Sequence, residues 1–162
     1  TTLFRSAGTI HALGKGVIIY ELQQTSDTTY RLYDWDRLGL DGAPRELHID
    51  KGLICTDFSL INPTLNLGIK SVQHRHYQED ILTNNSFFSL KRFYNFSAFQ
   101  EYSSHSTSAQ IMTVLQGEIT LSGDFENVHV QKGRTVLLPA HLDHYGITAS
   151  DNCELLIGEY TS

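Results

Sequence analysis

The sequence predicts a mainly β fold, and three features of the chain support this prediction. From residue 87 onward, short apolar runs recur about every 8–12 residues, the spacing of strands in a β-sandwich or barrel. Turn-forming residues separate these runs, among them Gly117, Gly123 and Gly133. Near the start of the chain, residues 17–23 form an apolar run whose alternate members would lie on opposite faces of a strand. One short helix is predicted, close to residues 45–51.

Composition limits the classes of function. Of the 162 residues, 40% are hydrophobic and 19% are charged, the proportions of an ordinary soluble globular protein. The net charge of -6 and the pI of about 5.7 argue against a nucleic-acid partner. No apolar run approaches the length of a membrane span and no signal peptide is recognisable, so we expect a cytoplasmic protein with no membrane partner. Cys55 and Cys153 are far apart in sequence and form no metal-binding CxxC pair.

The first 37 residues predict a strand, a glycine turn, a second strand, a polar turn and a third strand. Alternation places Val17, Ile19 and Glu21 on one face of the second strand. If the polar turn centres on Ser26, Glu21 stands directly opposite Arg31, with both side chains on the same face. A charged residue among Val and Ile is costly to bury unless it is paired or has a function.

The remaining elements follow from turn signals and periodicity. Pro44 suits the first turn of a helix over residues 45–51, which Gly52 is predicted to end. Residues 53–84 predict an irregular connection with one or two strands. Six further strands are predicted, at residues 87–93, 110–115, 118–121, 128–130, 135–138 and 154–158.

Several of these stretches resemble a known family. Residues 8–12 (GTIHA), 28–37 (TTYRLYDWDR) and 44–48 (PRELH) are similar to the bacterial branch of type I mannose-6-phosphate isomerase, and the likeness runs over about residues 4–52. Residues 115–119 and 132–140 resemble the cupin jelly roll. The resemblance implies an all-β, cupin-like jelly roll or β-sandwich, preceded by the end of a second, truncated cupin barrel and a short helix. The implied domains are the carboxy-terminal part of the catalytic barrel with its helix (1–52), a connecting segment (53–84) and a carboxy-terminal cupin-like domain (85–162).

The resemblance also implies an activity and a set of site residues. Members of the family are zinc-dependent isomerases of carbohydrate metabolism, which interconvert mannose 6-phosphate and fructose 6-phosphate through an enediolate. Its pattern makes His11 a zinc ligand, Glu21 an acid/base and Arg31 a catalytic residue. Arg37 falls where related enzymes place a basic residue near the substrate, a phosphorylated hexose. Lys15, between two glycines, marks a loop whose backbone could approach a phosphate, although such a triplet is more often a tight turn.

One departure from the family pattern matters more than the match. The family's zinc site also uses a Gln/His-x-His pair and a glutamate, both from the half of the protein that precedes the matching region. Because nothing in this sequence replaces them, we expect this chain alone to lack a complete zinc site. A barrel that lacks strands exposes unpaired edges, which predicts a homo-oligomer through the first 40 residues.

Other interpretations stay open. In a purely structural interpretation, Glu21 and Arg31 form a cross-strand ion pair and His11 caps the end of a strand. A second alternative is a non-catalytic cupin-like module that binds a sugar or a protein partner. A metal-binding cupin of different activity would centre on His141 and His144, in a stretch that fits the second cupin motif except that His141 replaces a glycine.

Overall fold

A computed structural model describes residues 7–26, 28–59, 69–96, 100–103, 108–142 and 144–161. These residues fall into two compact units, 7–59 and 69–161. The helix and the strands are α1 (Ile49–Cys55), β1 (Lys70–Gln73), β2 (Gln78–Asn84), β3 (Phe88–Tyr94), β4 (Gln100–Ser103), β5 (Gln110–Gln116), β6 (Glu118–Gly123), β7 (Phe125–Gln131), β8 (Thr135–Leu138), β9 (His144–Ala149) and β10 (Glu154–Tyr160). No helix in the described part of the chain is long and apolar enough to cross a membrane.

The second unit consists of two antiparallel sheets. One has six strands in the order β1-β2-β3-β10-β5-β8, and the other has four in the order β4-β9-β6-β7. β10 is a central strand of the larger sheet, and Leu155, Leu156 and Ile157 are buried at 0%, 5% and 2% exposure. Leu155 and Ile157 share the face that packs into the core. The shared core contains Phe93, Met112, Val114, Ile119, Leu121, Val130, Leu138, Tyr145, Ile147, Cys153, Leu155 and Ile157. The predicted mainly β fold with one short helix is thus confirmed.

The sequence located most of these strands. All six runs predicted after residue 85 coincide with strands, whereas β4 and β9 were not predicted. The sequence of β4, QEYS, has no apolar run, and Gly146 interrupts the apolar pattern of β9. The predicted connection at residues 53–84 contains the end of α1 and also β1 and β2, which join the six-stranded sheet.

The first unit differs more from the prediction. Within its described residues the only β pairing is an isolated bridge between Leu38 and Pro44, so the predicted hairpin that would place Glu21 opposite Arg31 is wrong. The helix exists but begins four residues later than predicted, at Ile49, and it contains Gly52 instead of ending there. Gly52 fits inside the helix because its missing Cβ leaves room for the side chain of Leu32.

A tight turn at Gly117 connects β5 to β6. Its φ of +71° lies in the left-handed region, and an added Cβ would come 2.6 Å from Ser150 Oγ and 3.1 Å from the Cα of Cys153. That Ser150 Oγ accepts the backbone N–H of Glu118 at 3.0 Å, so it is held in place. Glycine is required here for both backbone conformation and space.

We expect Gly117→Ala to destabilise the fold more than Gly133→Ala does. Gly133 also has a positive φ, of +78°, but an added Cβ there meets nothing within 4 Å. The control should therefore lose about 1–2 kcal/mol from backbone strain alone, and Gly117→Ala about 1–3 kcal/mol more from crowding. Urea unfolding of both variants measures the difference, and equal losses would show that Ser150 and Cys153 yield without cost.

Candidate functional site

The most concentrated group of charges in the first unit surrounds Asp34, whose carboxylate is 7% exposed. Arg45 binds it in bidentate fashion, with Nε donating to Oδ2 at 2.6 Å and Nη2 donating to Oδ1. The Nε atoms of Arg31 and Arg37 lie 3.9 Å and 3.8 Å from the same Oδ1. Three guanidinium groups therefore converge on one buried carboxylate. We call Arg31, Asp34, Arg37 and Arg45 the arginine cluster.

A reverse turn at residues 34–37 brings Arg37 back to Asp34. The Arg37 N–H donates to the Asp34 carbonyl at 3.1 Å, and the two residues between them, Trp35 and Asp36, have φ of 51° and 54°. Two successive left-handed residues define a type I′ turn, which usually has Asn-Gly at these positions. The Nε of Arg37 also donates to the Asp34 carbonyl at 3.4 Å. The guanidinium carbon of Arg37 lies 5.7 Å from the centre of the Trp35 ring.

A second reversal delivers Arg45. The Gly39 N–H donates to the Ala43 carbonyl at 2.7 Å, and the bridge between Leu38 and Pro44 closes the loop. The next residue in the chain is Arg45, which consequently returns to the carboxylate eleven residues before it. Two adjacent turns thus fold three separate parts of the chain around one side chain.

Arg31 is fixed by the residues that precede α1. Its carbonyl accepts the His48 N–H at 2.7 Å, and its own N–H donates to His48 Nδ1 at 3.2 Å. Its Nη1 donates to the Glu46 carbonyl at 3.1 Å. Backbone and side chain of Arg31 are therefore both held, which directs the rest of its guanidinium group toward Asp34.

The electrostatics of the cluster favour an anion. Three guanidinium charges against one carboxylate leave two positive charges in excess. The hydrogen bond from Arg45 is the main cause that lowers the pKa of Asp34 below its usual 3.8, and the charges of Arg45, Arg37 and Arg31 add to it. The same contact raises the pKa of Arg45. The side chains of Arg31, Arg37 and Arg45 are 25%, 62% and 41% exposed, so a solute can reach them.

The structure brings together two of the five predicted site residues, Arg31 and Arg37. His11, Lys15 and Glu21 are exposed, and Glu21 makes no hydrogen bond or ion pair with any described residue. His11 donates from Nδ1 to the Thr9 carbonyl at 3.0 Å, because a carbonyl can only accept. That bond leaves the lone pair of Nε2 free to bind a metal.

A complete metal centre is not formed by the residues that the structure describes. Among them, no three His, Cys, Asp or Glu side chains lie close enough together to hold a metal ion. His141 and His144 are both exposed, in the turn before β9 and at its first residue. The described donor set therefore does not fit a zinc site.

The sequence analysis did not identify Asp34 and Arg45. A signal was present in both cases, since Asp34 stands three residues from Arg31 and three from Arg37, and Arg45 follows the turn-forming Pro44. The signal is weak because only a pair of consecutive turns can bring Arg45 to Asp34, and one of those turns has no glycine at its left-handed positions.

A second group of polar side chains lies on the inner face of the second unit. Glu159 accepts from Ser89 Oγ at 3.0 Å and from Gln110 Nε2 at 2.9 Å, and the hydroxyl of Tyr145 donates to Gln110 Oε1 at 3.3 Å. Ser89, Gln110 and Tyr145 are all at most 3% exposed. This polar chain crosses from the six-stranded sheet to β9 of the other sheet. It provides hydrogen-bonding groups inside an otherwise apolar sandwich.

Comparison with known proteins connects both units to sugar-phosphate isomerases. No family model matches the sequence. Over 152 residues, 91% of this chain, it is 32% identical to mannose-6-phosphate isomerase ManA of Bacillus subtilis, and the match covers 45% of that protein. The chain thus spans about half the length of the curated relatives it matches.

Solved structures agree with this relationship. The crystal structure of the mannose 6-phosphate isomerase from Bacillus subtilis superposes with a TM-score of 0.70 at 25% identity, covering 82% of this chain and 40% of that one. An RmlC-like cupin from Shewanella frigidimarina superposes with a TM-score of 0.50 at 15% identity, over 61% of this chain and 89% of its own. The second likeness concerns the fold alone and confirms that it is cupin-like.

We expect the cluster to make stability depend on acid pH. A carboxyl group with a lowered pKa in the folded state stabilises the fold above its unfolded pKa, and this contribution is lost as the pH falls through the folded value. Thermal unfolding should therefore show a midpoint that declines below about pH 4. Asp34→Asn should flatten that decline, and so should Arg45→Gln, which removes the main cause of the shift. A decline as steep in both variants as in the unaltered chain would contradict this assignment.

Proposed function

We propose that this chain, a relative of bacterial mannose-6-phosphate isomerases over most of its length, forms part of an isomerase that interconverts mannose 6-phosphate and fructose 6-phosphate. The observation that carries the proposal is the arginine cluster, which holds the predicted Arg31 and Arg37 on one buried carboxylate. An acidic protein that uses a phosphorylated hexose needs a local excess of positive charge, and the cluster supplies it.

The proposed chemistry is a proton transfer between neighbouring carbons. A base removes the proton from C2 of the open-chain aldose, and its electron pair forms the C1–C2 double bond while the carbonyl electrons move to the C1 oxygen. The proton of the C2 hydroxyl then passes to the C1 oxygen, and protonation at C1 gives the ketose with its carbonyl at C2. Glu21, whose carboxylate is exposed, is proposed as the group that takes and returns the proton. Arg31 is proposed to bind negative charge on the substrate, either the oxyanion that develops on the enediolate or the charged phosphate group. Arg37 and Lys15 are proposed to contact the substrate.

His11 is proposed as one ligand of a zinc ion in the intact enzyme. The contact between Nδ1 and the Thr9 carbonyl supports this role, since it fixes the ring and presents Nε2. The other ligands would come from residues outside this chain, because the described residues do not complete the site. When bound, such an ion supplies Lewis-acid polarisation of substrate oxygens.

A second candidate function is a non-catalytic module that binds a sugar. Glu159 favours it, because its side chain is the partly exposed end of the polar chain and a carboxylate is suited to sugar hydroxyls, while the buried Ser89 and Gln110 hydrogen-bond it. Under this hypothesis the second unit would bind mannose without any contribution from His11 or Arg31.

A chimera tests the isomerase proposal. This chain would replace the part of Bacillus subtilis ManA that it matches, and conversion of mannose 6-phosphate would be assayed with added zinc. We expect activity in the chimera and losses of about 10²–10⁴-fold in kcat for Glu21→Gln and Arg31→Gln. His11→Ala should abolish both zinc binding and activity.

The matched control is Glu126→Gln, which removes an exposed carboxylate on β7 of the second unit and should leave activity unchanged. A folded chimera that binds zinc and is inactive would overturn the proposal. If calorimetry showed that this inactive chimera binds mannose, and Gln110→Leu removed that binding, the sugar-binding module would replace the isomerase proposal.

We also propose that the first unit self-associates. Large apolar side chains are exposed in the predicted strand and near it, namely Ile10, Leu13, Val17, Ile18 and Ile19. Ile18 is 98% exposed, which is costly for an isoleucine beside four other apolar residues. Pairing of this segment with a second copy would remove that surface from water.

Light scattering over a wide concentration range tests the association. We expect a dimer or larger species that Ile18→Glu reduces to a monomer. Leu137→Glu on β8, where the side chain is 67% exposed, is the control and should leave the mass unchanged. A monodisperse monomer at every concentration would contradict the proposal.

A cytoplasmic location, where sugar phosphates are metabolised, is proposed with the isomerase function.

A further inference from the structure

The carboxylate of Asp34 is used almost completely by one partner. Arg45 occupies both of its oxygens, while the Nε atoms of Arg31 and Arg37 stand at 3.9 Å and 3.8 Å, beyond the length of a hydrogen bond. Arg31 and Arg37 are therefore attracted to Asp34 electrostatically but donate no hydrogen bond to its carboxylate. Within the described residues, no acceptor binds the Nη2 of Arg31 or either Nη of Arg37.

The backbone that holds this arrangement is strained. Trp35 and Asp36 both have left-handed φ, and neither is a glycine. A left-handed residue with a side chain costs about 1–2 kcal/mol, and such outliers persist only where the surrounding contacts enforce them. The contacts here are those of Asp34 with Arg37 and Arg45. The strained turn brings the guanidinium group of Arg37 next to Asp34.

We propose that Asp34 is a positioning residue which gathers Arg31, Arg37 and Arg45 into a binding site for a phosphate dianion. Arg31 and Arg37 contact the phosphate, while Arg45 binds Asp34 and contributes its charge to the site. This inference rests on the proposed function for the identity of the ligand, the phosphate group of a hexose phosphate, but the site itself is defined by the cluster.

Charge and geometry favour a phosphate over other ligands. The two positive charges in excess match a phosphomonoester, which carries close to two negative charges at pH 7. Guanidinium groups are planar and present paired donors that fit the oxygens of a tetrahedral oxyanion. A neutral sugar offers no charge to balance the excess, so it should not bind at this site.

The role of Asp34 can be tested because two physical explanations predict opposite signs. If Asp34 only neutralised charge, Asp34→Asn would raise the excess from two charges to three and tighten phosphate binding. If Asp34 positions the arginines, the same substitution releases them, and phosphate should bind about tenfold more weakly despite the added charge. The probe is inorganic phosphate, titrated into the whole chain by calorimetry at constant ionic strength, with mannose as the neutral comparison.

Asp36→Asn is the matched control. It removes one acidic charge two residues away, and the exposed Asp36 has no contact with the arginines. Asparagine also tolerates a left-handed φ, so the turn is preserved. We expect phosphate to bind this variant as tightly as the unaltered chain or more tightly. Weaker binding by a similar factor in both variants would overturn the positioning role.

A second variant keeps the test valid if Asp34→Asn fails to fold. Arg45→Lys retains the charge and loses the bidentate contact with Asp34, and it too should weaken phosphate binding about tenfold. Folding of each variant is checked by circular dichroism. Absence of phosphate binding to the unaltered chain, or unchanged affinity in Arg45→Lys, would overturn the proposal.

The outcome is separable from that of the isomerase proposal. Phosphate binding that weakens in Asp34→Asn, together with an inactive chimera, supports the anion site and refutes the isomerase. An active chimera with tighter phosphate binding in Asp34→Asn supports the isomerase and refutes the positioning role.

Discussion

The first unit depends on one buried negative charge. A carboxylate removed from water is strongly disfavoured unless charged partners and hydrogen bonds replace its hydration. Arg45 supplies both to Asp34 through a bidentate contact, while Arg31 and Arg37 add charge at slightly longer range. The path of the chain follows from this requirement, since two successive turns are needed to return Arg37 and Arg45 to the same side chain. Removal of the carboxylate would leave three cations close together without the negative charge that they share.

The second unit is stabilised in a different way. Its strands alternate apolar residues toward a shared core, and antiparallel ladders satisfy the backbone groups of both sheets. The polar chain from Ser89 through Glu159 and Gln110 to Tyr145 is the exception inside this core, and its side chains are paired with one another. The first unit has few fully buried residues, among them Gly52 and Asp34, and it exposes many large apolar side chains. A hydrophobic core therefore determines one unit, and a polar cluster organises the other.

This difference explains how much of the fold the sequence could predict. Strands of the second unit were found because apolar runs and glycine turns are local signals. The two that were missed lack such a signal, since β4 is polar and Gly146 interrupts β9. In the first unit, the pairing of Glu21 with Arg31 was inferred from alternation alone, on the assumption that a ladder forms. The structure instead pairs Arg31 with Asp34, three residues along the chain, and with the segment that ends at His48. Arg31 and Arg37 were singled out by the resemblance, whereas Asp34, the carboxylate near which both lie, was not identified.

In the proposed phosphate site, the cluster explains how an acidic protein would select an anionic ligand. With a net charge of -6, the chain as a whole repels a phosphate at long range, and ionic screening limits that repulsion to about 10 Å at ordinary salt. Recognition must therefore come from short-range contacts whose geometry is set before the ligand arrives. Asp34 reduces the attraction by one charge but fixes the directions of three guanidinium groups, and charge-assisted hydrogen bonds depend steeply on direction. The buried carboxylate thus weakens the attraction of the cluster for an anion but aligns the guanidinium donors. Alignment matters more where a small ligand must be held in one orientation.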